Sequence, residues 1–184
     1  MRIITIILLL FLISCKNEKP DKSVYDIWET YIESHSEFRN MEMPDYWHFH
    51  NNREDANRLA ELILSGKKRA MSEPYSWYEN GTMELDTIGA KHIIIDFDGK
   101  AQAIIEIKKI DTIPFNKISK DFAVLDMGTD IEPLRKWRKA HWDFFSTAME
   151  QDGKKPTEEM LIVCEWFDTI WKKNSTNANK GYNK

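Results

Sequence analysis

Three consecutive cations follow a glycine in the segment Gly66-Lys67-Lys68-Arg69-Ala70-Met71. A glycine directly after a helix usually adopts the left-handed conformation that ends it, and cations at that end gain about 0.3–1 kcal/mol each from the helix dipole. A solvated run of charge is therefore one interpretation of this segment. The other is a binding or catalytic site, in which Lys68 faces a pocket and Lys67 and Arg69 help to hold a ligand.

Asp126 and Ser72 are the side chains that could work with Lys68. Asp126 is predicted in the last turn of a short helix, where the helix dipole disfavours a carboxylate. We therefore expect a cation beside Asp126, and the 67–69 segment is the obvious source. Ser72 carries a hydroxyl directly after Met71. Successive side chains of an extended segment oppose each other, so Ser72 is predicted to point away from the site unless the register slips.

Two aromatic residues and one glutamate are further candidates for ligand contacts. Tyr75 and Trp77 lie between the turn signals Glu73-Pro74 and Asn80-Gly81. Such a loop either stacks a planar ligand or forms a lid packed on the core, and the sequence leaves both open. Glu106 lies on a predicted strand, where it faces either a pocket or, as the favoured alternative, a lysine across the sheet.

No metal and no cofactor are expected. His48 and His50 lie two residues apart on a short extended segment, which places both on one face. A metal site needs three or four ligands, however, and no cysteine or second histidine pair lies nearby in the sequence. These histidines, and His141 on the apolar stripe of a later helix, are predicted to be structural residues of the core or its edge.

Hydrophobic periodicity predicts the elements that must position these residues. In chain order they are a docking helix within 23–44 that Pro44 ends, a helix capped by Asn52 and ended by Gly66, a hairpin of Lys91–Phe97 and Ala101–Ile110 around Asp98-Gly99, a helix over Glu132–Met149 and a strand over Glu159–Trp171. The last strand is apolar on both faces, which predicts a central or sandwiched position.

The N-terminus resembles the signal peptide of a bacterial lipoprotein. Arg2 precedes the apolar run Ile3–Ile13, which is too short to anchor the chain in a membrane, and the run leads into Ser14-Cys15. The resemblance implies that residues 1–14 are removed, that Cys15 is acylated, and that residues 15–22 form a tether. We then expect a lipid-anchored protein of the cell envelope, facing away from the cytoplasm. A plain signal peptide with an incidental cysteine is the alternative.

Charge and cysteine content narrow the range of partners. Loss of residues 1–14 removes one basic residue, so the mature chain carries 25 basic and 30 acidic residues. A net acidic chain has no general attraction for phosphate backbones, so RNA is a weak candidate that would need a local basic patch. Cys164 is the only cysteine besides Cys15, which excludes an intramolecular disulfide in the acylated protein. Its apolar neighbours predict a buried, inert thiol.

The segment from about Trp47 to Trp171 resembles the ASCH domain, a member of the PUA-like superfamily. The residues that carry the resemblance are the helix 56–63 running into Gly66-Lys67-Lys68, Gly89, the hairpin 93–106, Pro114-Phe115, Phe122-Ala123, Trp137-Arg138, His141, Phe144-Phe145, Cys164-Glu165 and Phe167. The resemblance implies an α+β fold over residues 45–171, a PUA-like small β-barrel with flanking helices. Residues 172–184, rich in Asn and Lys, are predicted to be a disordered tail.

The resemblance also implies a range of functions. PUA-like domains commonly bind RNA or modified nucleosides, and some ASCH members resemble hydrolases, among them an amidohydrolase that acts on acetylcytidine and a ribonuclease. The lysine of the amidohydrolase type corresponds to Lys68, and its threonine to Met71, which has no hydroxyl. Its acidic residue corresponds to Asp126 when the residues are counted forward from Phe122-Ala123. It corresponds to Met127 when they are counted back from Trp137.

The sequence favours a lipid-anchored protein whose pocket binds a small planar or anionic ligand of nucleoside or RNA type, with weak or absent catalysis. A lysine without a hydroxyl partner is a poor catalyst of amide hydrolysis, which needs an activated nucleophile. The second hypothesis is a hydrolase of acylated nucleosides or RNA that uses Lys68, Asp126 and Ser72. The third is a protein-interaction module of the envelope, in which the N-terminal helix and the aromatic loop face a partner. Whether the protein is an enzyme stays open at this point.

Overall fold

The structure is a computed structural model, and it describes residues 19–174 except 80, 82 and 152. The predicted signal peptide, Cys15 and residues 175–184 lie outside the described residues. The helices and strands, in chain order, are α1 Lys22–Ser34, β1 Tyr46–Trp47, α2 Arg53–Leu64, β2 Ala70–Pro74, α3 Ser76–Glu79, β3 Lys91–Ile95, β4 Ala101–Pro114, α4 Lys120–Met127, α5 Pro133–Gln151 and β5 Leu161–Lys172. The α+β class predicted from the sequence is confirmed.

The strands form one mixed sheet in the order β1-β3-β4-β5-β2. Strand β1 pairs in parallel with β3, and the other pairings are antiparallel. Strand β5 is paired on both sides, as its apolar faces predicted. Strands β1 and β2 are the two edges of the sheet, and no pairing joins them within the described residues, so a closed barrel is not shown. Strand β1 has only two residues.

The predicted hairpin is confirmed as the pair β3 and β4. Ile93 lies opposite Ile104, and the turn between the strands is closed by a bond from the Asp96 backbone N–H to the Lys100 carbonyl oxygen. Gly99 has a φ of 80° in this turn, a conformation that a glycine adopts without steric cost. Register shifts between β4 and β5 mark irregular points that bend the long pair.

Helix α1 packs on the face of the sheet that β3 and β4 form. Its residues Val24, Ile27, Trp28 and Tyr31 are buried in one apolar cluster with residues of both strands. The predicted docking helix is thus confirmed, but it ends at Ser34, well before Pro44, and a single 3₁₀ turn, Ser36–Phe38, follows it. The apolar face of α1 is part of the core, so it is not an exposed surface for a partner.

Helix α2 packs on the opposite face of β3 and β4, whereas α4 and α5 pack in a further cluster with residues of β2 and β5. Asn52 caps α2 as predicted, because its side-chain oxygen accepts a hydrogen bond of 2.9 Å from the Asp55 backbone N–H. Gly66, with a φ of 73°, ends the helix. The backbone N–H groups of Lys67 and Lys68 both donate to the carbonyl oxygen of Leu62, which turns the chain back into β2. This turn carries Lys68 from the helix end into the interior.

The C-terminal part of the fold extends slightly further than predicted. Residues from Lys172 onward were predicted to be disordered, but Lys172 is the last residue of β5 and Lys173 bonds to Gln102 through both its backbone N–H and its side chain. The pairing of β5 with β4 therefore orders these residues. None of the described helices combines the length and apolar character needed to cross a membrane.

Candidate functional site

A cleft of about 520 Å³ opens between the helices α2, α4 and α5, the start of β2 and the segment after β1. This volume lies in the range of pockets that hold small molecules. The residues that line it are Trp47, His48, Phe49, His50, Asn51, Asp55, Arg58, Leu59, Lys68, Met71, Ser72, Glu73, Trp77, Asp126, Met127, Ala140, His141 and Phe144. Aromatic rings form much of its wall, and Lys68, Ser72, Asp126 and His141 form a polar floor.

Lys68 is buried at this floor, with only 3% of its surface exposed. Its ammonium group donates to the carbonyl oxygens of Ala70 and Asp126, at 2.8 Å each, and to Asp126 Oδ1 at 2.5 Å. It also lies 4.8 Å from the centroid of the Phe49 ring. Three acceptors match the three N–H groups of a lysine, so the ammonium is fully hydrogen-bonded before any ligand arrives.

Asp126 lies beside a cation, Lys68, as its position in the last turn of a helix predicted. Its Oδ2 accepts hydrogen bonds from Ser72 Oγ at 2.6 Å and from Trp137 Nε1 at 2.8 Å, and it lies 3.3 Å from His141 Nε2. Burial alone would raise the pKa of this carboxyl. The charges of Lys68 and His141 and the hydrogen bonds outweigh it and hold the pKa far below the usual range. Asp126 is therefore an ionised carboxylate and a weak base.

His141 is held between two acceptors. Its Nδ1 lies 3.0 Å from the carbonyl oxygen of Trp137, one helical turn earlier, and its Nε2 faces Asp126. A carbonyl oxygen and a carboxylate are both acceptors, so each ring nitrogen of His141 faces an acceptor. The ring also stacks on Trp137, with centroids 4.4 Å apart. His141 is thus a structural residue, as predicted, and it also lines the cleft.

Ser72 does not point away from the site, and that prediction is wrong. Its hydroxyl donates to Asp126, which brings it to the same floor as Lys68. Lys68 and Ser72 are four residues apart in an extended segment and therefore share a face, whereas Met71 takes the opposite orientation. The orientation of the Ser72 side chain thus follows from its spacing to Lys68 and not from its position next to Met71. Met71 is buried in the apolar cluster between the sheet and α2 and reaches the cleft from its wall.

The other predicted ligand residues divide into those at the cleft and those outside it. Trp77 lines the cleft and packs edge-on against Phe144, with ring centroids 6.0 Å apart. Lys67 and Arg69 are exposed and do not line it, and Tyr75 does not line it either. Glu106 is outside as well, since it faces Lys91 across the sheet at 3.3 Å and also pairs with Lys108. The favoured alternative for Glu106, a lysine across the sheet, is confirmed.

A second group of polar residues adjoins the wall of the cleft, around Glu73. Tyr78 donates a hydrogen bond to Glu73 Oε2, and His92 Nε2 lies 2.8 Å from Asp86 Oδ2. Glu165 is buried, and its Oε1 has no hydrogen-bond partner among the described residues. Burial, with the nearby charges of Asp86 and Glu73, raises the pKa of Glu165 to about 7.

Several residues of the site were missed at the level of sequence. Trp137 lies on the apolar face of α5, but its indole N–H needs an acceptor when buried, and its spacing of four from His141 places both side chains on one face. Nothing in the sequence around Phe49, Glu73 and Phe144 points to a cleft, because only the packing of separate elements brings them together. Cys164 is a buried thiol as predicted, and burial raises its pKa.

The open mixed sheet, the helices on its faces and the buried lysine–carboxylate pair beneath a cleft define an α+β protein of the PUA-like class. The family model of the ASCH domain matches residues 45–171, and the chain belongs to this family. It is similar to the crystal structure of an ASCH domain from Lactobacillus crispatus JV V101, with 29% identity, a TM-score of 0.76, and coverage of 84% of this chain and 98% of that one.

A second solved structure is similar over nearly its whole length. The protein EF3133 from Enterococcus faecalis V583 is 28% identical, with a TM-score of 0.74, and the match covers 89% of this chain and 99% of that chain. The comparison with curated proteins gave no match.

Proposed function

We propose that the cleft binds a small, neutral, planar ligand of nucleoside type between its aromatic walls. The observation that supports this proposal is that aromatic side chains form the walls of the cleft, while the polar side chains of its floor bond to one another. Trp47, Phe49, Trp77 and Phe144 supply ring surface, and the polar groups of the floor are already paired with one another. Stacking on aromatic side chains contributes about 1–3 kcal/mol per base, and every base offers a face for it.

The balance of charge favours a neutral ligand over an anionic one. The lysine and the arginine that line the cleft are Lys68 and Arg58, and the carboxylates are Asp126, Asp55 and Glu73. Lys68 and Asp126 neutralise each other, and Arg58 donates to Asp55 at 2.8 Å. Lys67 and Arg69, the cations that could have attracted a phosphate, lie outside the cleft. A phosphate group would thus find no unpaired lysine or arginine at this site.

Hydrolysis of an acylated nucleoside is the second candidate function. The convergence of Ser72, Asp126 and Lys68 at one floor favours it, since a hydroxyl nucleophile beside a carboxylate and an ammonium is a recurring arrangement in acyl transfer. Two features oppose efficient catalysis. The low pKa of Asp126 makes it a poor acceptor of the Ser72 proton, and the ammonium of Lys68 has no N–H left for a developing oxyanion.

The test is a calorimetric titration of the full chain, purified in mild detergent, with nucleosides, N-acylated nucleosides, nucleoside monophosphates and short RNA. We expect nucleosides to bind, a 5′-phosphate to add nothing, and Trp77→Ala or Phe144→Ala to weaken binding by about ten-fold. Tyr25→Ala removes an exposed ring outside the cleft and is the matched control. Binding of phosphorylated compounds alone would contradict the proposal. Release of free acid that Ser72→Ala abolishes would establish the hydrolase instead.

We also propose that the protein is lipid-anchored in the cell envelope. The support is the order of Arg2, the apolar run Ile3–Ile13 and Ser14-Cys15 in the sequence. Mass spectrometry of the protein from a bacterial membrane fraction should find an acylated Cys15 as the first residue. An unmodified N-terminus beginning elsewhere would contradict the anchor and leave the proposal for the cleft intact.

A further inference from the structure

Glu73 has a carboxylate oxygen that the fold does not use. The residue lies on β2, lines the cleft, and accepts one hydrogen bond, from the Tyr78 hydroxyl to its Oε2. Within the described residues Oε1 accepts none, and no cation lies within ion-pair distance of either oxygen. Trp77, between Glu73 and Tyr78 in the chain, lines the same cleft. A ligand stacked on Trp77 therefore shares this cleft with the free oxygen of Glu73.

The hydrogen bond to Tyr78 does not by itself require a charged residue. A glutamine side chain accepts the same bond through its amide oxygen and avoids the cost of a partly buried charge. Moreover, Glu73 lies near two other carboxylates, Asp86 and Glu165, and burial raises its pKa although His92 nearby opposes the shift. The charge of Glu73 is thus costly for folding, and no hydrogen bond or ion pair among the described residues requires it. Such a group is expected where a ligand supplies the missing donors.

The chemistry that satisfies a carboxylate is a pair of adjacent N–H groups. The two oxygens of a carboxylate match two parallel donors, and each oxygen keeps lone pairs beyond the one that Tyr78 occupies. In a planar heterocycle this pattern is a ring N–H beside an exocyclic amino group, as on the edge of guanine. Acceptor atoms at the same positions would instead face the acidic group of Glu73, Asp86 and Glu165 and be repelled.

We propose that Glu73 sets the specificity of the cleft, by accepting hydrogen bonds from an amino-bearing N–H edge of the stacked heterocycle. This inference rests on the proposed function, since it concerns the same ligand in the same cleft. It names the ligand class as an aminated base, distinguished from a base of the same shape without the amino group. Glu73 then contacts the ligand edge, while Trp77 and Phe144 contact its faces.

Guanosine and inosine test the inference, because they differ only by the 2-amino group. We expect the full chain to bind guanosine at least ten-fold more tightly than inosine. Glu73→Gln should weaken guanosine binding at least ten-fold and change inosine binding less than three-fold, because the amide keeps the bond to Tyr78 but places an N–H against the donor edge. Glu79→Gln, on α3 with an exposed side chain outside the cleft, is the matched control and should change neither.

The remaining outcomes distinguish a failure of this inference from a failure of the proposed function. Tyr78→Phe removes the donor to Oε2 and keeps the carboxylate, so the preference for guanosine should persist. Equal affinity for both nucleosides, with binding still dependent on Trp77, would overturn the role of Glu73 and leave the proposed function standing. An equal loss of both ligands in Glu73→Gln would show that Glu73 only supports the wall. Failure of both nucleosides to bind would overturn the two proposals together.

Discussion

Asp126 is the residue on which the floor of the cleft depends. Its carboxylate takes contacts from side chains of three different parts of the chain, namely Lys68, Ser72, Trp137 and His141. Each donor loses its hydration on burial and recovers a partner in Asp126, so removal of the carboxylate would leave several buried donors unsatisfied. A sequence argument from the helix dipole alone predicted that Asp126 needs a cation, but not that three other donors meet it.

The raised pKa of Glu165 predicts how the free energy of unfolding depends on pH. Its pKa is about 7 in the folded protein against an ordinary value of 4.5, so the folded state holds a proton that the unfolded state releases between those values. The free energy of unfolding should therefore fall as the pH rises from about 4.5 to 7, and stay level above it. Glu165→Gln removes this effect and should be more stable than the wild type at pH 8 by about 2–3 kcal/mol.

Urea denaturation at pH 5 and pH 8 measures this difference. The advantage of Glu165→Gln should nearly disappear at pH 5, where the wild-type carboxyl is largely protonated when folded. Glu159→Gln, at an exposed position shortly before β5, controls for the loss of a charge. The low pKa of Asp126 acts in a separate window, because its contribution is lost only as the pH falls below its ordinary value near 3.8. A constant advantage at both pH values would contradict the account of Glu165.

At the scale of elements, the pair of Lys68 and Asp126 joins the turn after α2 to the last turn of α4. The two side chains are 4% and 3% exposed, so each charge is compensated almost entirely by the other and by hydrogen bonds. Removal of one member of such a pair leaves a buried charge, which costs about 3–5 kcal/mol. Replacement of both members by apolar residues avoids that cost.

Lys68→Met should therefore lower the free energy of unfolding by about 3–5 kcal/mol, measured by urea denaturation. The double variant Lys68→Met with Asp126→Leu should lose less than the sum of the two single changes, because neither charge is left alone. Lys67→Met, at the exposed neighbouring position, should lie within about 0.5 kcal/mol of the wild type. If Lys68→Met cost no more than Lys67→Met, the buried pair would not be the link between α2 and α4.

Elements with local signals were predictable, and their arrangement was not. Asn52 and Gly66 mark the two ends of α2 by chemistry contained within a few residues, and Gly99 marks the hairpin in the same way. The order of the strands in the sheet, with β1 and β2 at its edges, is instead specified by no local pattern. The approach of Ser72 and Trp137 to Asp126 depends on three elements packing together. Long-range contacts of this kind cannot be predicted from the spacing of residues along the chain.

At the scale of the molecule, the fold separates a structural face from a cleft. Trp28 and Trp171 pack in the cluster that α1 covers, whereas Trp47 and Trp77 line the cleft. The net acidic charge of the chain agrees with a ligand that is recognised by stacking and hydrogen bonds rather than by attraction of phosphate. The tryptophans are therefore natural reporters of which face a ligand contacts.

The most direct test is to follow the indole N–H resonances of these tryptophans by ¹H–¹⁵N NMR during the titration with guanosine. The account predicts saturable shifts for Trp47 and Trp77, which line the cleft, and a smaller shift for Trp137, whose indole N–H bonds to Asp126 beneath the floor. The signals of Trp28 and Trp171 should stay in place. Shifts confined to Trp28 and Trp171, or no shift at a saturating concentration of guanosine, would contradict binding in the cleft.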